Sequence, residues 1–124
     1  SAVTAAVDFL GMDAYPYYQN TIDNSIGNAN ATFFSALDQT VAASSGKPVW
    51  ITETGWPVSG PTDGSAAASI QNAQSYWHAV GCSVLGKYNT WWYTLQDAPQ
   101  PNGNPSFGIV GATLSTQPLY SLTC

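Results

Sequence analysis

A single glutamate occurs in this chain of 124 residues, and its neighbours make it the first candidate for chemistry. Glu53 follows the apolar run Pro48-Val49-Trp50-Ile51-Thr52 and precedes Thr54-Gly55-Trp56-Pro57. Such a run reads as a buried strand, and Gly-Trp-Pro cannot continue it, so the carboxylate falls where strand becomes loop. Enzymes built on parallel strands place their reacting groups at that end. A carboxylate among aromatic side chains, with almost no basic partners, is a candidate catalytic group. On these residues alone, a surface glutamate at a strand end is the alternative.

Two aspartates stand in comparable places. Asp13 lies near the end of the run Val7 to Tyr15, and Asp97 sits in Gln96-Asp97-Ala98-Pro99. A turn or capping role competes with a functional one at both, and Ala-Pro favours the turn for Asp97. His78, beside Trp77 in a helical stretch, reads as a packed or solvent-facing helix residue. One His and two widely separated Cys give no zinc spacing. Neither a Gly-rich phosphate loop nor a nucleophile elbow is present in the sequence.

The elements that must position these groups alternate between strand and helix. The first strand is expected over Val7 to Tyr15, ended by Pro16, with a loop rich in Asn, Ser and Gly from Tyr17 to Asn28. Phe33, Phe34, Leu37 and Val41 recur at helical spacing, which predicts a helix over Asn30 to Ser45 with Asn28 or Asn30 as N-cap and Gly46 as stop. The Glu53 strand follows, then a loop from Val58 to Gly64. Ala66, Ile70, Ala73, Trp77 and Val80 predict a second helix over Ser65 to Val80, with Gly81 beyond its end. Tyr88 to Leu95 reads as the third strand, followed by a Pro/Gly/Asn-rich loop, the apolar piece Phe107-Gly108-Ile109-Val110, and a turn or helix near Pro118 to Leu122. A β-α-β-α-β order implies parallel strands in one α/β domain without internal boundary. All three strand ends then share one face, bringing together Asp13 and Tyr15, Glu53 and Trp56, Tyr93 and Asp97.

Composition restricts the partners. Charged residues are 7% of the chain against about 25% in an average soluble protein, so neutral polar groups must supply solubility. A net charge of −5 argues against nucleic acid and anionic membranes. Neutral, hydroxyl-rich ligands such as glycans remain, and aromatics at 13% provide rings for sugars to stack on. Cys82 and Cys124 are compatible with one disulfide or with two buried thiols. Asn30-Ala31-Thr32 is a glycosylation sequon. Low charge, the sequon and a disulfide together predict a secreted protein. No window reaches the roughly 18 apolar residues of a membrane span. The start, Ser1-Ala2-Val3-Thr4, reads as processed or cut.

The motifs then resemble a known family. Ile51-Thr52-Glu53-Thr54-Gly55-Trp56-Pro57 is similar to the nucleophile signature of glycoside hydrolase family 17, the β-1,3-glucanases and glucanosyltransferases. Phe9-Leu10-Gly11-Met12-Asp13-Ala14-Tyr15-Pro16-Tyr17 resembles its sixth strand, Trp91-Trp92-Tyr93-Thr94-Leu95-Gln96-Asp97 its eighth, and Phe107-Gly108-Ile109 the segment after it. The likeness is nearest to the fungal cell-wall members. It implies the C-terminal portion, about strands six to eight, of a (β/α)8 TIM barrel, incomplete as an isolated chain because a whole barrel takes about 250 residues. It further implies a retaining hydrolase or transglycosylase acting on β-1,3-glucan or its oligosaccharides. Glu53 would be the nucleophile, Tyr15 would orient it, and Asp13, Trp56, Tyr93 and Asp97 would contact sugar.

The family's general acid, a glutamate ending strand four, has no counterpart here. It must come from the missing N-terminal part of the barrel or from a second chain. No metal or cofactor is implied, and an extracellular or cell-wall location is. The other reading is a non-catalytic secreted glucan-binding fragment. In a barrel, consecutive helices neighbour each other, so Cys82, after the second helix, and Cys124, ending the tail, are expected to pair.

Overall fold

The computed structural model describes residues 1–99, 101 and 104–124. A short helix, α1 (Ala2–Ala6), capped by the Ser1 hydroxyl on the Thr4 amide at 3.2 Å, leads into a three-stranded parallel sheet. Its order is β1 (Leu10–Ala14), β2 (Val49–Thr54), β3 (Thr90–Trp92). Parallel neighbours require crossovers. Helix α2 (Ile26–Ala43) makes the first and α3 (Ile70–Tyr76) the second. The α/β order expected from the sequence is present. Among the described residues, no helix is long and apolar enough to cross a membrane.

One face of the sheet is covered and the other is open. Met12 and Ala14 of β1, with Val49 and Ile51 of β2, are buried against Ala29, Phe33 and Leu37 of α2 and Ala73 and Tyr76 of α3. Each large side chain so buried is worth about 1.5–3 kcal/mol. Strict alternation would turn Glu53 inward with Val49 and Ile51. It does not, because β2 carries an extra residue. Met12 pairs with Ile51 but Asp13 pairs with Glu53, leaving Thr52 unmatched in a bulge. Thr54 therefore takes the helix-facing position at 0% exposure, and Glu53 is exposed on the open face. Gly11 makes the room: a Cβ there would lie 3.0 Å from the Thr52 methyl carbon.

Several expected boundaries move. The helix read from Asn30 begins at Ile26, with Ser25 as N-cap in place of Asn28 or Asn30. The Asp23 carboxylate accepts from the Ser25 amide at 3.1 Å and stands at the helix's positive end. Its pKa is lowered by that backbone hydrogen bond first. Val41, assigned to the apolar stripe, is 43% exposed. Beyond the helix, Gly46 adopts φ +80°, consistent with its role as stop.

The second helix starts at Ile70, after an N-cap at Ser69 whose hydroxyl accepts from the Asn72 amide at 3.0 Å. Residues Asp63 and Ala66 instead close a tight turn through two backbone bonds of 3.0 and 2.9 Å, so Ser65 cannot be helical. Ile70 is consequently 46% exposed. At its other end, α3 runs into a wide turn, Trp77–Gly81, and a last helical piece, α4 (Cys82–Val84). Gly81 is thus inside the helical run, not beyond it, with room for a Cβ limited by Trp92 at 3.1 Å.

The third strand is shorter than expected because the chain changes partners after Tyr93, whose amide still donates to Thr54 O at 2.8 Å. Residues 94 to 97 bond to the segment 107 to 111, with Ile109 N to Thr94 O at 2.9 Å and Val110 N to Leu95 O at 3.0 Å. Residues 100, 102 and 103 of the expected Pro/Gly/Asn-rich loop lie outside the described residues. No helix forms near Pro118; that segment runs as bends across α3. The Trp77 indole donates to Leu122 O at 3.0 Å, and the Ser121 amide to Gln74 Oε1 at 3.0 Å. Cys82 and Cys124 are disulfide-bonded with Cα atoms 5.5 Å apart, as expected.

The two cysteines are 42 residues apart, so the chain-entropy treatment assigns the cross-link about 4 kcal/mol at 25 °C. The double variant Cys82→Ser, Cys124→Ser in the full-length protein is expected to lose about 2–4 kcal/mol in urea denaturation. An unchanged midpoint, or free thiols on alkylation of unreduced protein, would contradict the bond.

Candidate active site

The C-terminal ends of β1, β2 and β3 converge on the open face. The bulge in β2 sets Glu53 opposite Asp13 in the β1–β2 ladder. The Tyr15 hydroxyl, one residue past β1, donates to Glu53 Oε2 at 2.6 Å. Asp13 Oδ1 accepts from the Thr52 hydroxyl at 2.6 Å. Both carboxylates thus have an oriented hydroxyl donor while remaining open to solvent. Directly behind, Thr54 and Tyr76 share a buried hydroxyl–hydroxyl bond of 2.7 Å that anchors the strand end.

The electrostatics keep the donor a donor. Tyr15 is held well above the ordinary tyrosine range, by burial first, then by the bond to Glu53, and then by the negative field of Glu53, Tyr93 and Asp13. It remains protonated throughout the working range of any enzyme, so it offers Glu53 a permanent hydrogen bond. The chain's two cations stand elsewhere. Lys47 precedes β2 and donates to Val7 O at 2.8 Å, and Lys87 precedes β3, which puts both at the strand-entry end. The carboxylate end therefore suits a neutral substrate that becomes cationic as it reacts.

The expected sugar-contacting residues divide. Asp13, Tyr15 and Tyr93 line the open face, with Tyr93 38% exposed and edge-on to Tyr15 at 6.2 Å. Trp56 is not on that face. It is 1% exposed, packs against Tyr17 and Tyr76, and donates its indole N–H to Ala67 O at 3.1 Å. Gly55 and Pro57, both buried with it, turn the chain inward at this point. A Cβ at Gly55 would sit 2.3 Å from Tyr93 O, so only glycine lets the two strand ends meet.

Asp97 is engaged by the segment that follows it. Its Oδ1 accepts from the amides of Phe107 and Gly108 at 3.0 and 2.9 Å, and its Oδ2 from the Ser106 hydroxyl. The turn reading of that residue describes it. Sequence reasoning assigned no role to Phe107, although its ring meets Tyr15, Tyr17, Tyr18 and Tyr93 at 5.5 to 6.1 Å. The signal available was its isolation, an aromatic followed by glycine in a polar tail. Thr52 was read only as a strand former and Thr54 only as the first residue past the strand, since nothing local announces a bulge.

Parallel β/α units with a tyrosine-bonded carboxylate at the strand C-termini define an α/β fold whose candidate site lies where such folds carry their chemistry. The chain belongs to the BtgE/BtgC glycoside hydrolase domain family, whose family model matches residues 1–111. The family 17 resemblance is thereby borne out. The chain is 59% identical over its whole length to "Probable glucan endo-1,3-beta-glucosidase eglC" of Aspergillus fumigatus, of which it spans 28%. It superposes on the glycoside hydrolase family 17 beta-1,3-glucanosyltransferase from Rhizomucor miehei with a TM-score of 0.85 and 38% identity, over 97% of this chain and 45% of that one. An active-site mutant of the same Rhizomucor enzyme, in complex with laminaritriose, matches at TM-score 0.85 and 36% identity with the same coverage.

Five phenols are raised in the folded state, Tyr15, Tyr17, Tyr18, Tyr76 and Tyr120, all by burial first, the last to about 12. Unfolded tyrosines ionise near pH ~10 while these stay protonated, so their contribution is complete below about pH 10 and falls above it, that of Tyr120 being lost as pH rises through about 12. Tyr120→Phe and Tyr15→Phe should each flatten the fall in stability over that window in denaturant melts. Slopes equal to the parent's would contradict the assignment.

Proposed function

We propose that this chain forms about strands six to eight of a (β/α)8 barrel in a retaining enzyme acting on β-1,3-glucan, with Glu53 as nucleophile. The observation that carries the reading is the Tyr15–Glu53 bond at 2.6 Å, on a strand end that a bulge turns to the open face. The names of the similar proteins, an endo-1,3-beta-glucosidase and a beta-1,3-glucanosyltransferase, supply the substrate class. The laminaritriose complex of the latter supports an oligosaccharide ligand.

In the first step Glu53 attacks the anomeric carbon while a general acid protonates the departing glucan oxygen. The ring passes through an oxocarbenium-like transition state and becomes covalently bound to Glu53. Water or a glucan hydroxyl, deprotonated by the conjugate base of that acid, then displaces Glu53 from the same side as the original bond, giving retention. The two carboxyl groups of a retaining pair stand about 5–5.5 Å apart. Since Glu53 is the only glutamate among these 124 residues, the acid belongs to a part of the barrel outside them. Tyr15 holds Glu53 in place for attack; Asp13 and Tyr93 bind the sugar at the nucleophile's side. Asn30, exposed on α2, is available for glycosylation, and with the disulfide it supports secretion to the cell wall or medium.

Glu53→Gln in the full-length protein is expected to abolish turnover of laminarin with little loss of glucan affinity, because shape is kept and the nucleophilic charge removed. A 2-fluoro glucoside should label Glu53. Peptide mapping that found the label on Asp13 or Asp97 would overturn the assignment.

A further inference from the structure

We infer that Asp97 is a positioning residue for the nucleophile, acting through Phe107 and Tyr15 rather than on sugar; this rests on the role proposed for Glu53. Three of the about four acceptor positions on a carboxylate are occupied at Asp97. Two are filled by consecutive backbone amides and one by the Ser106 hydroxyl, all within the turn that begins Phe107-Gly108. The backbone closes the same turn from outside, with Asp97 N donating to Gly111 O at 3.0 Å. Crowding fixes it further: a Cβ at Gly108 would lie 2.6 Å from Gly111 O and 3.0 Å from Asp97 Oδ2. Charge-assisted bonds to amides are about twice as strong as neutral ones. The carboxylate therefore holds the stretch between two backbone-paired points, Ser106 against Val58 and Ser59, and Ile109 and Val110 against Thr94 and Leu95.

What the turn delivers is the Phe107 ring. Three aromatic rings meet Tyr15: Tyr18 at 6.0 Å, Tyr93 at 6.2 Å and Phe107 at 5.7 Å. Tyr18 and Tyr93 are 49% and 38% exposed, whereas Phe107 is 4% exposed. Phe107 is the fixed wall, edge-on to Tyr15 at 82°. Tyr15 in turn bonds Glu53. Each link is a direct contact, and together they run from a carboxylate that never meets substrate to the one that attacks it.

The test uses the full-length protein and laminari-oligosaccharides. Asp97→Asn keeps one oxygen for both amides and offers an N–H to Ser106, so its kcat should stay within about threefold of the parent. Asp97→Ala should lower kcat by roughly tenfold or more while KM stays within about twofold, the pattern of an interaction lost in the transition state. The rate of 2-fluoroglucosyl labelling at Glu53 should fall in step. In a Tyr15→Phe background, Asp97→Ala should cost no more than about twofold further, because both act on one path. Phe107→Leu, which keeps the burial without the ring edge, should show the same split if Asp97→Ala does not fold.

An Asp97→Ala effect on KM that grows with oligosaccharide length would overturn the inference in favour of a sugar contact. So would full additivity with Tyr15→Phe. A crystal structure of Asp97→Ala decides independently of turnover: loss of the Tyr15–Glu53 bond supports the inference, and an unchanged bond defeats it. Persistent turnover by Glu53→Gln would defeat the nucleophile assignment instead, leaving that structural result to judge the positioning path.

Discussion

The unmatched Thr52 in β2 is the constraint on which the site depends. A one-residue slip in a strand moves every later side chain to the opposite face. Without it, Glu53 would follow Val49 and Ile51 into the layer of Phe33, Ala73 and Tyr76, where an ionised carboxylate would meet no cation and cost several kcal/mol or more. With it, the slot goes to Thr54, whose hydroxyl is satisfied by Tyr76. The displaced residue is used as well. Thr52 fits over Gly11 and donates to Asp13, so one irregularity sets the positions of both carboxylates.

The remaining features of the site follow from a carboxylate held at a strand end with almost no counter-charge. Such a group needs hydroxyl donors to orient it and access to water, and both are present: Tyr15 donates and Glu53 is exposed. A lysine at the same place would stabilise the ion but would repel the cationic character that develops on a sugar ring during glycosidic cleavage. Keeping Lys47 and Lys87 at the strand-entry end avoids that conflict. Low overall charge is thus a property of the site as well as of the surface.

Much of this was legible in the sequence, and the failures share a cause. Strand order, both crossover helices and the Glu53 strand end were read from local pattern and alternation, and the cysteine pair was expected only from the barrel that the resemblance implied. Tyr15 was also placed, because Tyr-Pro ends a strand visibly. Trp56 was misplaced because a strand-end position says nothing about which way the next turn faces; Gly55 and Pro57 send it inward. The early start of α2 was missed because Ile26-Gly27-Asn28 lacks helix propensity, and burial of Ala29 under the sheet overrides it. The late start of α3 was missed because the pairing of Asp63 with Ala66 is a tertiary choice of the loop. Non-local contacts, the Asp97 turn above all, leave no period to detect.

The open face carries a second pattern that bears on completeness. Phe9 stacks on Trp50 with ring centroids 3.6 Å apart, and Trp50 on Trp91 at 5.4 Å, a row across all three strands below the carboxylates. Phe9 and Trp91 are nonetheless 36% and 51% exposed. Aromatic rings of this size are ordinarily covered, and exposed strand edges are ordinarily paired. The Rhizomucor glucanosyltransferase, to which these residues correspond over 45% of its length, has further structure beyond the matched part. Under the barrel reading, further strands close over the row, and the three rings fill the lower interior as side-chain layers do in such barrels. That packing would fix the relative height of β1, β2 and β3. The missing acid could then stand at a set distance from Glu53, so the aromatic row and the catalytic spacing become parts of one requirement.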